Sequence, residues 1–261
     1  MDEGPRRAPP APGRLTLSRE ERKRLGSEVR ALREGLEADL EAGVTWIPWD
    51  RPARAGPAAP AAPAKSVPRP ARERALAAVA AEVAGCTLCG LCRGRTNTVP
   101  GEGSPEAAVM FVGEGPGEQE DLSGRPFVGR AGKLLRRMIT EELGLDPSEV
   151  FIANIVKCRP PQNRAPQPDE AAACLPYLRR QVAAVRPRVI VTLGNPSTQS
   201  LLQTKEGITR LRGKPVARSG FLFFPTYHPS YLLRNPAAEP DGRADFRAVK
   251  ALLARSAAPG G

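Results

Sequence analysis

The sequence predicts an α/β fold, three-layer α/β/α, built on a central, mostly parallel four-stranded sheet. Three observations predict it. Four short runs, 109–113, 150–156, 189–194 and 221–225, are almost continuously apolar and rich in β-branched or aromatic residues. Helical periodicity fills the intervals between them. Each run also ends in polar or Gly-rich sequence. Strands that are apolar on both faces must be covered on both faces, which a parallel sheet between two helical layers provides. In such sheets a site forms beyond the carboxyl ends of the strands.

The elements follow in order. Residues 1–13 are rich in Pro, Ala and Arg and read as disordered. Residues 16–42 read as a helix, with Leu17, Leu25, Val29, Leu32, Leu36 and Leu40 at helical spacing and Ser18 and Glu21 as a capping box. Trp46-Ile47-Pro48-Trp49 is an apolar knot, either a docking peptide or a cover for that helix. Residues 51–70 are almost all Pro, Ala, Arg and Gly, the composition of an extended linker. Residues 1–70 are therefore read as an extension, 71–256 as the folded domain and 257–261 as a tail. Within the domain an Ala-rich helix spans 71–85. Further helices are expected at 130–143, 168–185, 195–203 and 242–255.

Charge narrows the partner. Lys and Arg total 39 against 28 acids. Beyond residue 73 the balance is 25 to 17, so most of the excess sits on the domain. A basic domain favours a polyanion, nucleic acid first. No run approaches the roughly 20 apolar residues of a membrane span. Met1 to Gly13 lacks the apolar core of a secretory signal, so a reducing cytoplasm is expected. There, cysteines serve as metal ligands more often than as disulfides.

Two sequence features carry chemistry. The run Val109 to Val112 leads into Gly113-Glu114-Gly115-Pro116-Gly117, a turn whose glycines leave backbone N–H groups open to a ligand. The other feature is the cysteine set. Cys86 and Cys89 form a CxxC pair, Cys92 stands three further on, and Cys158 and Cys174 lie far downstream. A CxxC pair plus two distant cysteines can close a four-thiolate site for zinc or for an iron–sulfur cluster. By spacing alone, Cys86, Cys89 and Cys92 serve equally well as three ligands.

Four motifs, in register over residues 78–256, resemble the family 4 uracil-DNA glycosylases, the iron–sulfur type. Gly113 to Gly117 with Glu120-Asp121 is similar to that family's first motif. Gly124-Arg125-Pro126-Phe127-Val128-Gly129-Arg130-Ala131-Gly132 is similar to its stacking segment. Asn154-Ile155-Val156-Lys157-Cys158-Arg159-Pro160-Pro161 with Asn163-Arg164 is similar to its base-reading strand and loop. His228-Pro229-Ser230 through Asn235-Pro236 is similar to its second motif.

The resemblance implies hydrolysis of the bond between uracil and deoxyribose in DNA, by a monomer. It implies a [4Fe–4S] cluster on Cys86, Cys89, Cys158 and Cys174, leaving Cys92 free. It implies that Phe127 stacks on an extruded uracil and that Asn154 reads its edge. His228 would donate to uracil O2 as charge develops there, and Leu232 would wedge into the duplex gap. Gly113, Gly115 and Ser230 would contact the substrate, with Arg130, Lys133 and Arg164 near the phosphates. Gly115 stands where other glycosylase families carry an Asp or Asn. Glu114, Glu120 and Asn163 are therefore the candidates for activating water. A relative that traps uracil-DNA covalently uses an extra histidine, and this chain has one histidine in all. The extension is a candidate contact for a protein partner.

Overall fold

The computed structural model describes residues 67–255, together with the isolated position 20. The expected 16–42 helix, Trp46 to Trp49, most of the linker and the 257–261 tail lie outside the described residues.

In chain order the elements are α1 (Arg69–Ala84), β1 (Glu102–Gly103), β2 (Val109–Gly113), α2 (Glu118–Ser123), α3 (Arg130–Met138), β3 (Phe151–Asn154), α4 (Pro168–Val185), β4 (Val189–Leu193), α5 (Gly194–Leu202), α6 (Ile208–Leu211), β5 (Val216–Arg218), β6 (Phe221–Thr226), α7 (Pro229–Arg234) and α8 (Glu239–Arg255). The sheet order is β1-β3-β2-β4-β6-β5. The inner four strands are parallel and are the four read from the apolar runs. Two short antiparallel strands complete the edges. The chain leaves β2 for β3 on one side and then returns to β4 on the other. That reversal opens a crevice at the carboxyl ends of the strands.

Alternation along β2 divides the core. Met110 and Val112 face α4, beside Leu178, Val182 and Val185. Val109 and Phe111 face α3 and α8, beside Leu135, Met138, Phe246 and Val249. The two faces of the pleat thus build two apolar layers. Helix α1 buries Ala71, Ala75, Val79 and Val83, every fourth residue. It packs on α4, where Arg180 grips Glu82 with both nitrogens, at 2.5 and 2.9 Å. This places α1, and the cysteine segment after it, against the end of β3. The helix expected over 130–143 is α-helical to Met138 and then widens into a π turn over Ile139–Leu143. Among the described residues no helix is long and apolar enough to cross a membrane.

Candidate active site

Beyond the strand ends lies a cleft with an empty volume of about 870 Å³, open solvent included. Its wall includes Glu114, Gly115, Glu120, Phe127, Asn154, Asn163, His228 and Ser230. These come from four segments of the chain, gathered because β2, β3 and β6 all end here.

Asn154 is the last residue of β3 and pairs with Gly113 across the sheet. Its side chain is buried, and Oδ1 has no hydrogen-bond partner. A buried amide oxygen left unpaired costs about 1–3 kcal/mol, so its position on a cleft wall marks a place for a donor. Gly113 makes the approach possible. A Cβ there would run into Asn154 Oδ1 and come within 2.6 Å of Phe127 Cζ.

Phe127 sits at φ 53°, the left-handed region, where a bulky residue is strained. The surroundings hold it there. Arg136 Nε donates to the Phe127 carbonyl oxygen at 3.4 Å. Gly132 gives that carbonyl the room a Cβ would take. Glu120 fixes the rest of the loop, accepting the N–H of Val128 at 2.9 Å and of Gly129 at 2.8 Å through Oε1. Through Oε2 it accepts the Gly117 N–H at 3.1 Å. One carboxylate thus ties the Gly-Pro-Gly turn to the Phe127 loop.

His228 follows β6 and caps α7. Its Nδ1 accepts the Ser230 N–H at 3.1 Å and lies 2.8 Å from Ser230 Oγ. The neutral ring therefore carries its proton on Nε2. Burial, with help from the Arg234 charge, lowers the pKa from 6.5 to about 4, so the ring is neutral near pH 7. The ring lies 5.8 Å from that of Phe127, tilted by 34°. The carboxyl end of β6 is anchored behind it. Thr226 donates to Asp245 of α8 at 2.6 Å, and Arg212 pairs with the same carboxylate at 3.0 Å.

The three candidates for activating water fare differently. Glu120 is occupied by the three backbone N–H groups. Asn163 is exposed, and its Oδ1 accepts from Arg159 Nε at 2.8 Å. Glu114 is half-buried, its carboxylate accepts no hydrogen bond from a described residue, and burial raises its pKa above the usual carboxylate value. The expectation for Leu232 is corrected. It is 1% exposed, packed in the core beside Gly242 and Met138, because its position on α7 faces inward. Tyr231 and Leu233, at 37% and 38% exposure, are the outward apolar residues of that helix. Arg164 also lines the cleft, but it is forked onto Glu170 at 2.8 and 2.7 Å. Arg130 and Lys133 lie exposed on α3.

All five cysteines line one further pocket, of roughly 300 Å³ with open solvent counted. Arg95 Nη1 donates to Cys158 Sγ and the Lys157 backbone N–H to Cys174 Sγ, both at 3.3 Å. Among the described residues no three His, Cys, Asp or Glu are close enough to grip a single ion. Sulfurs that surround one cavity without closing on one point, with N–H donors aimed at two of them, suit a centre of several atoms. In the free thiols burial raises the pKa of Cys89, of Cys158 and, to about 11, of Cys174.

Sequence reasoning placed Asp121 and Lys157 within motifs but missed what their buried side chains hold. Asp121 is buried and accepts the Thr96 N–H at 3.0 and 3.1 Å, fastening α2 to the segment after the cysteines. Lys157 is 1% exposed, with Nζ 2.9 Å from the Asn154 carbonyl oxygen and 2.7 Å from Gln181 Oε1. The signal for Lys157 was present, since a lysine in an apolar run beside a cysteine is out of place on a buried strand end.

Comparison with known proteins fits this arrangement. Residues 100–254 match the family model of the uracil DNA glycosylase superfamily. A type-4 uracil-DNA glycosylase of Sulfurisphaera tokodaii is 51% identical over 166 residues, 60% of this chain and 76% of the relative. One from Thermotoga maritima is 50% identical over 147 residues, 56% of this chain and 76% of the relative. A type-5 uracil-DNA glycosylase of Pyrobaculum aerophilum is 31% identical over 179 residues, 62% of this chain and 76% of the relative. On a family match spanning more than half its length, and on identity far higher to the type-4 relatives than to the type-5 one, this chain belongs to the uracil DNA glycosylase superfamily, among the type-4 uracil-DNA glycosylases.

Proposed function

We propose that this protein hydrolyses the N-glycosidic bond of uracil in DNA, releasing the base and leaving an abasic site for base-excision repair. The observation that carries it is the unpaired, buried Oδ1 of Asn154 in the cleft of Phe127 and His228. Uracil presents an N3–H donor beside its O4 acceptor, and one side-chain amide satisfies both. Cytosine presents an acceptor at N3 and a donor at C4, so the same amide mismatches it at both atoms.

The base must leave the stack to reach this cleft, at a cost of a few kcal/mol. Phe127 offers a face for the extruded ring. His228 Nε2–H donates to uracil O2 as negative charge gathers there, and the neutral ring does so without giving up its proton. Glu114 is the carboxylate left free to orient water at the sugar. Glu120 acts by holding the turn and the Phe127 loop together. Leu233 and Tyr231 replace Leu232 as the wedge, being exposed on the helix that begins at His228. Arg234, exposed on the same cleft, faces the phosphates.

A [4Fe–4S] cluster fits the cysteine pocket, held by Cys86, Cys89, Cys158 and Cys174, with Cys92 beside it. When bound it supplies a cross-link between the α1 segment and the loop after β3, and no chemistry at the sugar. The test is incubation with single- and double-stranded oligonucleotides containing uracil, followed by alkali. Cleavage at uracil is expected. A covalent adduct, or intact strands, would overturn the proposal.

A further inference from the structure

We propose that Lys157 is a positioning residue that couples the cysteine-bound centre to uracil recognition, its ammonium balanced by the thiolates on one side and clamping the Asn154 carbonyl on the other. The inference rests on the cluster and activity assigned above.

Lys157 is among the largest fully buried side chains of the described domain. Its two acceptors, Asn154 O and Gln181 Oε1, are both neutral. Among the described residues no carboxylate lies within ion-pair distance of it. A buried ammonium without a counter-charge costs several kcal/mol and is rarely tolerated. The anions within reach are sulfurs: Lys157 lines the cysteine pocket, its backbone N–H donates to Cys174 Sγ, and the negative charge of a Cys174 thiolate favours its ammonium against the desolvation of burial. A centre with four thiolate ligands carries the negative charge that this site lacks.

The geometry converts that balance into position. The Lys157 carbonyl accepts the Val99 N–H at 2.8 Å, and Gln181 Nε2 donates to the Pro100 carbonyl at 2.7 Å. Backbone and ammonium are therefore pinned from several directions. The ammonium fixes the backbone of the residue whose amide faces the cleft. Small misplacements of a reading group cost rate steeply, on the order of 100-fold per ångström.

The experiment uses the full chain with its cluster, as wild type and as Lys157→Met, a neutral side chain of similar length. Iron and sulfide are counted, the midpoint potential of the centre is measured, and KM and kcat are determined on uracil oligonucleotides. Loss of a nearby cation disfavours the reduced, more negative centre. The expected result is an intact centre with a potential shifted to more negative values and kcat reduced by about tenfold or more. Lys157→Arg should return the potential towards wild type. An intact centre with an unmoved potential, or an unchanged kcat, would overturn the proposal.

A measurement on the unaltered chain covers the case in which Lys157→Met fails to fold. Lysine labelled with ¹⁵N at Nζ alone should show a hyperfine coupling to the reduced centre, and its absence overturns the charge link. A wild-type chain without an iron–sulfur absorption overturns the cluster assignment itself. A wild-type chain with the cluster but no uracil release overturns the activity, and is recognised by that pairing.

Discussion

At the scale of single residues, the cleft depends on atoms deliberately left without partners or without bulk. Replacing Asn154 by Ala removes the side-chain amide proposed above to read the uracil edge. Losing such hydrogen bonds is worth about 1–3 kcal/mol, so a fall of roughly 10- to 100-fold in single-turnover excision is expected. Gly113→Ala should be at least as damaging, because the new methyl group occupies the space between Asn154 and Phe127. Titrating uracil into that variant, with its melting temperature as a control, separates a blocked pocket from a misfolded one. His228 makes a prediction about pH. Unfolded, it takes up a proton near pH 6.5, and folded only near pH 4. Between those values the unfolded state alone is protonated, so stability falls as pH drops from about 6.5 to about 4. Denaturant melts at pH 7 and pH 5 should show a larger loss for wild type than for His228→Gln.

At the scale of elements, the parts that matter are loops held by single carboxylates. Glu120 joins the turn after β2 to the loop before α3, and Asp121 joins α2 to the segment after the cysteines. Hydrogen bonds to charged groups are worth about 1.5–3 kcal/mol each. Glu120→Gln keeps one acceptor oxygen but loses the charge. It should lower the melting temperature and slow excision more than tenfold, since Phe127 is released from its strained φ. An unchanged rate would place Glu120 outside the working site. The four inner strands were legible because runs such as Val109 to Val112 and Val189 to Leu193 are almost continuously apolar. Edge strands β1 and β5 were not, because two or three residues carry no period. The one at Glu102 is held instead by Arg125 and Arg136 at 2.8 and 2.7 Å. Leu232 was misread for a related reason. Three consecutive residues, Tyr231, Leu232 and Leu233, carry apolar side chains, and only the packing of α7 on α3 and α8 decides which one faces inward. Glu114 and Glu120 look alike in sequence, and the backbone donors of Gly117, Val128 and Gly129, three to nine residues from Glu120, separate them.

At the scale of the molecule, charge and the cysteine pocket set the terms. A basic domain meeting DNA should bind more weakly as salt rises. Each phosphate neutralised by a Lys or Arg contributes about −0.9 to the slope of log K against log salt. Arg234→Ala should reduce the magnitude of that slope by about one, measured by titrating labelled uracil-free duplex at several salt concentrations. With the proposed cluster in place, removing iron by chelation should loosen α1 and the loop after β3 together, because the same four cysteines would hold both. Hydrogen exchange should report the two segments opening as one unit.

The cysteine arrangement also has a bearing on how the chain is made. Cys89 and Cys158 are separated by 68 intervening residues, and Cys174 comes later still. With these sulfurs sharing one centre, the ring cannot close until most of the polypeptide has left the ribosome. In the proposed holoprotein the entropy of closing so long a loop would be met by the metal centre and the α1–α4 contact together. Cells starved of iron should therefore accumulate full-length chains that proteases cut between α1 and β2, while the sheet beyond survives.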